Sequence, residues 1–100
     1  MKLKRNVRVL GIRPELLLAL QVADGIWREH GKDLVVTSVT DSKHSMTSLH
    51  YAGCAADLRV RYFDAPTRQN VAEALINALT KEYQVMLEPD HIHLAYRPRR

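Results

Sequence analysis

Two short runs carry the side chains able to do chemistry. The first, TSLHYAGCAADLRV at 47–60, spaces Ser48, His50, Gly53 and Asp57 through small and apolar residues. The second, EPDHIHLAY at 88–96, gathers Glu88, Asp90, His91 and His93. Imidazole and carboxylate are donors suited to zinc. Two imidazoles and one carboxylate leave a tetrahedral ion one vertex for water, the arrangement of a catalytic rather than a closed structural site. Such an ion lowers the pKa of its water and polarises a carbonyl. An acidic side chain nearby that is not a ligand can then take the proton, and Asp90 and Glu88 both qualify. All of this requires the two runs to meet in space.

The elements around these runs decide whether they can. Residues 55–60 (AADLRV) alternate, with Ala56, Leu58 and Val60 on one face and Asp57 and Arg59 on the other. Residues 91–96 (HIHLAY) put Ile92, Leu94 and Tyr96 on one face and His91 and His93 on the other. If the two strands are neighbours with their apolar faces inward, Asp57 comes within reach of one of the histidines. His50, on a polar loop over 41–53, folds over to complete the set. That loop leads into the first strand, and long loops in compact domains are often functional.

The rest of the chain supplies the scaffold. Pro14 and Glu15 open a helix over 14–30 that Gly31 ends, and Leu16, Leu20, Ala23 and Trp27 form its apolar stripe. DLVVTSVT at 33–40 is β-branched and reads as a strand. Pro66 and Thr67 open a second helix over 67–82, with Val71, Leu75, Ala78 and Leu79 buried. QVMLEP at 84–89 reads as a strand joined to 91–96 by a tight connection at Pro89-Asp90. Two helices and four strands make an α+β domain, with a small, mainly antiparallel sheet and both helices packed on one face.

Bulk properties fix the class. One hundred residues suffice for a single domain over 1–100 with one core, and 46% hydrophobic with 26% charged residues excludes a disordered chain. The net charge of +4 favours an anionic partner, although much of it sits in MKLKR and RPRR, which read as solvated ends. Cys54 is the only cysteine, so no internal disulfide forms, and its Gly and Ala neighbours mark a buried structural thiol. LLLAL at 16–20 follows Pro14-Glu15 and lacks a cleavage site, so neither a secretory leader nor a membrane span is expected. The chain is expected to be cytoplasmic as synthesised, monomeric and without a membrane partner.

At the two polar runs the chain resembles a known family. Ser48-Leu49-His50-Tyr51-Ala52-Gly53-Cys54-Ala55-Ala56-Asp57 is similar to the S-x-H-x-x-G-x-A-x-D signature of zinc peptidases that cleave bacterial cell-wall peptides. These are the D-Ala-D-Ala carboxypeptidases and dipeptidases and the phage L-alanyl-D-glutamate endopeptidases, whose fold the hedgehog signalling domain shares. Asp90-His91-Ile92-His93 resembles the acid-His-x-His form of some members, and VVTSV resembles the strand before the loop, so the likeness spans about 34–96.

The resemblance implies a hedgehog/DD-peptidase-like fold and zinc held by His50, Asp57 and His93. It makes Asp90 the general base, sets His91 beside the metal to stabilise the oxyanion, and has Ser48 orient the substrate. Gly53 lets the loop turn tightly into the strand. Glu88 fits as base only if His91, not His93, is the ligand. The implied partner is a peptidoglycan stem peptide cut at an amide bond, and the implied enzyme a phage- or prophage-type endopeptidase. One departure matters: many members carry an arginine for a substrate carboxylate after the TS strand, whereas this chain reads Thr37-Ser38-Val39-Thr40-Asp41. Lys43, Arg59 or Arg61 would have to serve instead, and the loss weakens carboxypeptidase action more than endopeptidase action.

Two other classes compete. A zinc-bound but inactive module of the same fold would need no base beside the metal, and the Asp90-His91 pair argues against it. A basic nucleic-acid binder would use Lys2, Lys4, Arg5 and the RPRR end, but those residues share no helix face and no DNA-binding motif is present, so no nucleic-acid partner is expected.

Overall fold

The computed structural model describes residues 1–7, 11–40 and 54–97. Lys43, Ser48, His50, Gly53 and with them the whole 41–53 loop reading lie outside the described residues, as do 8–10 and 98–100. Within them the chain runs β1 (Lys2–Leu3), α1 (Pro14–Glu29), β2 (Val35–Thr40), β3 (Ala55–Arg59), α2 (Ala65–Ala78), β4 (Tyr83–Leu87) and β5 (His91–Tyr96). The five strands form one mixed sheet in the order β1-β2-β3-β5-β4. Only the β1–β2 pair is parallel; the other three pairings are antiparallel. No helix of the described residues is long and apolar enough to cross a membrane.

The inward parity follows the alternation. Leu58, Val60, Ile92 and Leu94 are fully buried, and they pack with Val36 and Ala56 against Leu16, Leu20, Ala23 and Trp27 of α1 and Val71 and Leu75 of α2. Burial of a large aliphatic side chain stabilises by about 1.5–3 kcal/mol, so this layer dominates the fold. Trp27 also reaches the sheet through a polar contact, its indole Nε1–H donating to the Arg59 carbonyl at 3.1 Å. Cys54 is buried, as its neighbours predict, and burial pushes its thiol pKa up.

The differences from expectation are at the ends of elements. The stretch MKLKR is not wholly a solvated tail: the Lys2 amide donates to the Leu34 carbonyl at 2.7 Å and the Lys4 amide to Val36 at 2.9 Å. A strand of two residues has no periodicity to read. α2 begins at Ala65 rather than 67 because Asp64 caps it, its Oδ1 accepting from the Thr67 amide at 2.9 Å. It ends at Ala78 rather than 82 because Leu79 is extended (φ −108°, ψ 162°). Ala78 is therefore exposed, and Ala72 takes its place in the buried stripe. The β4–β5 connection is the three residues Glu88 to Asp90, closed by the Glu88 amide donating to the His91 carbonyl at 2.8 Å.

The assigned parity has a direct test. Leu58→Ala should lower unfolding stability by about 3 kcal/mol in urea titration. Arg59→Ala, one residue along on the outer face, should change it by less than about 0.5 kcal/mol. Equal losses would mean that the strand faces are misassigned.

Candidate functional site

Register brings the polar residues together. β3 and β5 pair antiparallel with Asp57 opposite His93 and Arg59 opposite His91, so all four side chains stand on the sheet face away from the helices. His93 Nδ1–H donates to Asp57 Oδ1 at 2.9 Å. The same oxygen lies 3.7 Å from His91 Nε2. Asp57 Oδ2 accepts from the Ser38 hydroxyl at 3.3 Å, and the Asp57 carbonyl accepts from Thr37 Oγ1 at 3.3 Å. The carboxylate is thus held on one oxygen by a serine and turns the other toward two imidazoles.

Ser38 is a site residue that the sequence reading passed over. It faces Asp57 because β2 carries an irregularity between Val36 and Ser38: Val36 pairs with Leu58, yet Ser38 pairs with Asp57. The extra residue, Thr37, lets Val36 point inward and puts Ser38 on the outer face. The spacing of Val36 and Val39, three apart where a regular strand spaces its inward residues by two, is the sequence signal that could have found it.

Asp90 and His91 form a second pair. His91 Nδ1–H donates to Asp90 Oδ1 at 2.8 Å. This hydrogen bond raises the His91 pKa above its ordinary 6.5, with Asp57 adding a smaller electrostatic contribution while partial burial opposes both. The same bond lowers the Asp90 carboxyl, and Arg61 contributes a little. The β4–β5 turn that carries Asp90 is tied down from two sides. The Val60 amide donates to the Asp90 carbonyl at 3.3 Å, and Arg68 of α2 donates to the carbonyls of Phe63 at 2.9 Å, Val60 at 3.3 Å and Pro89 at 3.4 Å. The carboxylate of Glu88, the alternative base, makes no hydrogen bond to either pair among the described residues and has only a minor electrostatic effect on His91.

The donor set suits a zinc ion in part. Ligands about 2.1 Å from a tetrahedral ion stand about 3.4 Å apart, so Asp57 Oδ1 and His93 Nδ1 need separate only slightly to share one. A cation held between them would take the place of the hydrogen bond that joins them. Among the described residues no three His, Cys, Asp or Glu gather into a ligand group, and the expected third ligand, His50, lies outside them with Ser48.

A cleft of about 190 Å³ opens beside the pairs, lined by Asp57, Asp90 and His91 together with Lys4, Arg59, Arg61 and Thr37. It adjoins a shallower cleft of about 430 Å³ that shares Lys4 and Thr37 and extends over Asn6, Val7 and Val39. No family model, no curated protein and no solved structure matches the chain, so its chemistry is argued from these residues.

The Asp90–His91 bond fixes a pH dependence. A histidine whose folded pKa is raised adds stability that is complete below its unfolded value and fades as pH rises through the folded value. The lowered Asp90 carboxyl adds stability that is present above its unfolded value and fades as pH falls through the folded one. In metal-free protein, NMR titration should therefore find His91 with a midpoint above 6.5. Asp90→Asn should bring that midpoint down; an unchanged midpoint would mean that the bond does not form in solution.

Proposed function

We propose that the chain is a zinc-dependent peptidase that hydrolyses an amide bond in bacterial peptidoglycan stem peptides, acting as an endopeptidase, and that its fold is of the hedgehog/DD-peptidase type. The observation that carries the reading is the approach of Asp57 Oδ1 and His93 Nδ1 to 2.9 Å from separate strands, with a second acid–imidazole pair alongside. Two helices on one face of a mainly antiparallel sheet, with the polar residues on the other, are compatible with that fold.

In this reading Asp57 and His93 hold the zinc ion, with His50 of the signature as third ligand. When bound, the ion supplies the activation of water and the polarisation of the substrate carbonyl. Ser38 fixes the orientation of the Asp57 carboxylate, so that Oδ1 is the oxygen turned toward the histidines. Asp90, whose side chain is 77% exposed, takes the proton of the attacking water and returns it to the leaving amine. The bond to Asp90 favours the protonated form of His91, and in that form its Nε2–H, directed toward the Asp57 side of the site, donates to the oxyanion of the tetrahedral adduct. Ser48 orients the substrate backbone, as the signature implies.

Metal analysis of untagged protein should find a single equivalent of zinc, retained in Asp90→Ala and lost in His93→Ala. The zinc-loaded protein should clear a suspension of bacterial cell walls, and Asp90→Ala should slow clearing by about a hundredfold or more. Zinc retained without cleavage of any wall peptide would reassign the site to a binding module. Protein that takes up no zinc would overturn the reading.

A further inference from the structure

Each residue of the turn from Glu88 to Asp90 has one backbone group held. The Glu88 amide donates to the His91 carbonyl at 2.8 Å, and the Asp90 carbonyl accepts from the Val60 amide at 3.3 Å. Pro89 has no amide to offer, and its carbonyl accepts from Arg68 Nη1–H at 3.4 Å. Among the described residues this third bond is the one that comes from the helix layer.

The local sequence explains how an arginine of α2 reaches the turn. Asp64 caps α2, and the Arg68 amide donates to the Asp64 carbonyl at 2.9 Å, so the side chain leaves the first turn of the helix. β3 ends where β5 begins, with Arg59 opposite His91, and α2 starts just beyond. Arg68 Nε–H is shared between the Phe63 carbonyl at 2.9 Å and the Val60 carbonyl at 3.3 Å. A guanidinium is a rigid planar fork, so holding Nε also fixes where Nη1 points.

The Pro89 carbonyl and the Asp90 amide belong to one trans peptide plane. Holding the oxygen fixes that plane, and with it the Cα from which the Asp90 carboxylate projects. His91 does most to lower the Asp90 carboxyl, and the Asp90 amide adds to the effect, so this amide faces its own carboxylate. The bonds at Glu88 and at the Asp90 carbonyl hold the ends of the turn and leave the plane between them free to rotate.

We propose that Arg68 is a positioning residue, which ties the Pro89 carbonyl to the exit of β3 and so holds the Asp90 carboxylate where it can serve an attacking water. Its effect on rate rests on the peptidase reading; its effect on the order of Asp90 does not. Arg68 lines no wall of the cleft beside Asp57, so it acts only through the turn. A displacement of a reacting group by about 1 Å can lower a rate about a hundredfold.

The test compares the full chain as wild type, Arg68→Ala, Arg68→Lys and Val71→Ala. Val71 is a buried α2 residue whose truncation lowers stability without touching the turn. With zinc and a cell-wall stem peptide, Arg68→Ala should lose about tenfold to a hundredfold in kcat, with KM and zinc content unchanged. Arg68→Lys keeps the charge but not the fork and should lose as much, while Val71→Ala should keep its kcat per folded molecule. If Arg68→Ala does not fold, Arg68→Lys provides the same comparison. In metal-free protein at one pH, amide NMR relaxation should show the Asp90 order parameter falling from about 0.85 to below about 0.6 in Arg68→Ala, with Asp57 and His93 unchanged. A wild type that cleaves no wall peptide would remove the peptidase reading and leave the relaxation measurement to decide the role of Arg68. That role would be overturned by an Asp90 amide as rigid in the variant as in the wild type, by full kcat in either Arg68 variant, or by a loss borne by KM or shared by Val71→Ala.

Discussion

The placement of Asp57 opposite His93 depends on one antiparallel register between β3 and β5. The same register sets Leu58 opposite Ile92 and Ala56 opposite Leu94, all buried under the helices. A slip by one residue would turn Asp57 and Arg59 into the core and expose Leu58. Each large aliphatic side chain lost from the interior would cost about 1.5–3 kcal/mol, and the several lost together would outweigh the net worth of the polar contact on the other face. The apolar face therefore sets the register, and the polar pair follows from it. A site built on the outer face of a well-buried strand pair is held to the precision of the core without contributing much to its stability.

β2 adds the adjustment that the register alone does not provide. Regular pairing would oppose Thr37 to Asp57. The irregularity after Val36 instead allows Val36 to pack inward and Val39 to lie against the core, while Ser38 reaches the carboxylate. Thr37 is not idle, since its hydroxyl bonds the Asp57 carbonyl. One extra residue thus anchors both the backbone and the side chain of the central acid.

How much of this the sequence discloses depends on how local the signal is. Strand alternation in 55–60 and 91–96 is a period-two pattern strong enough to assign faces, and with adjacency assumed it brings Asp57 to a histidine. Helix α1 is legible for the same reason, from a stripe and two terminal residues. The end of α2 is not, because Leu79 leaves the helix under tertiary packing rather than at a glycine or proline. β1 is too short to carry a pattern and takes its structure wholly from hydrogen bonds to β2. That difference bears on the site, since Lys4 reads as tail charge along the sequence and lies in the cleft wall in three dimensions. The bulge sits between these cases: its valine spacing is visible, but only the paired strand gives that spacing a meaning.

The two acids differ in setting, and this bears on which roles they can take. The Asp57 side chain is 29% exposed and tied at both oxygens, so its position is fixed and its lone pairs are directed. That suits a ligand, which must present one oxygen at one point. Asp90 is 77% exposed and tethered through a single imidazole, on a turn whose backbone is pinned by Val60 and Arg68. Such a carboxylate exchanges protons with water while its backbone stays in register with the sheet. In the proposed reaction an exchange of these assignments would fail on both counts. Asp90 lacks the second anchor that a ligand needs, and Asp57, held between Ser38 and His93, is not free to turn toward an attacking water.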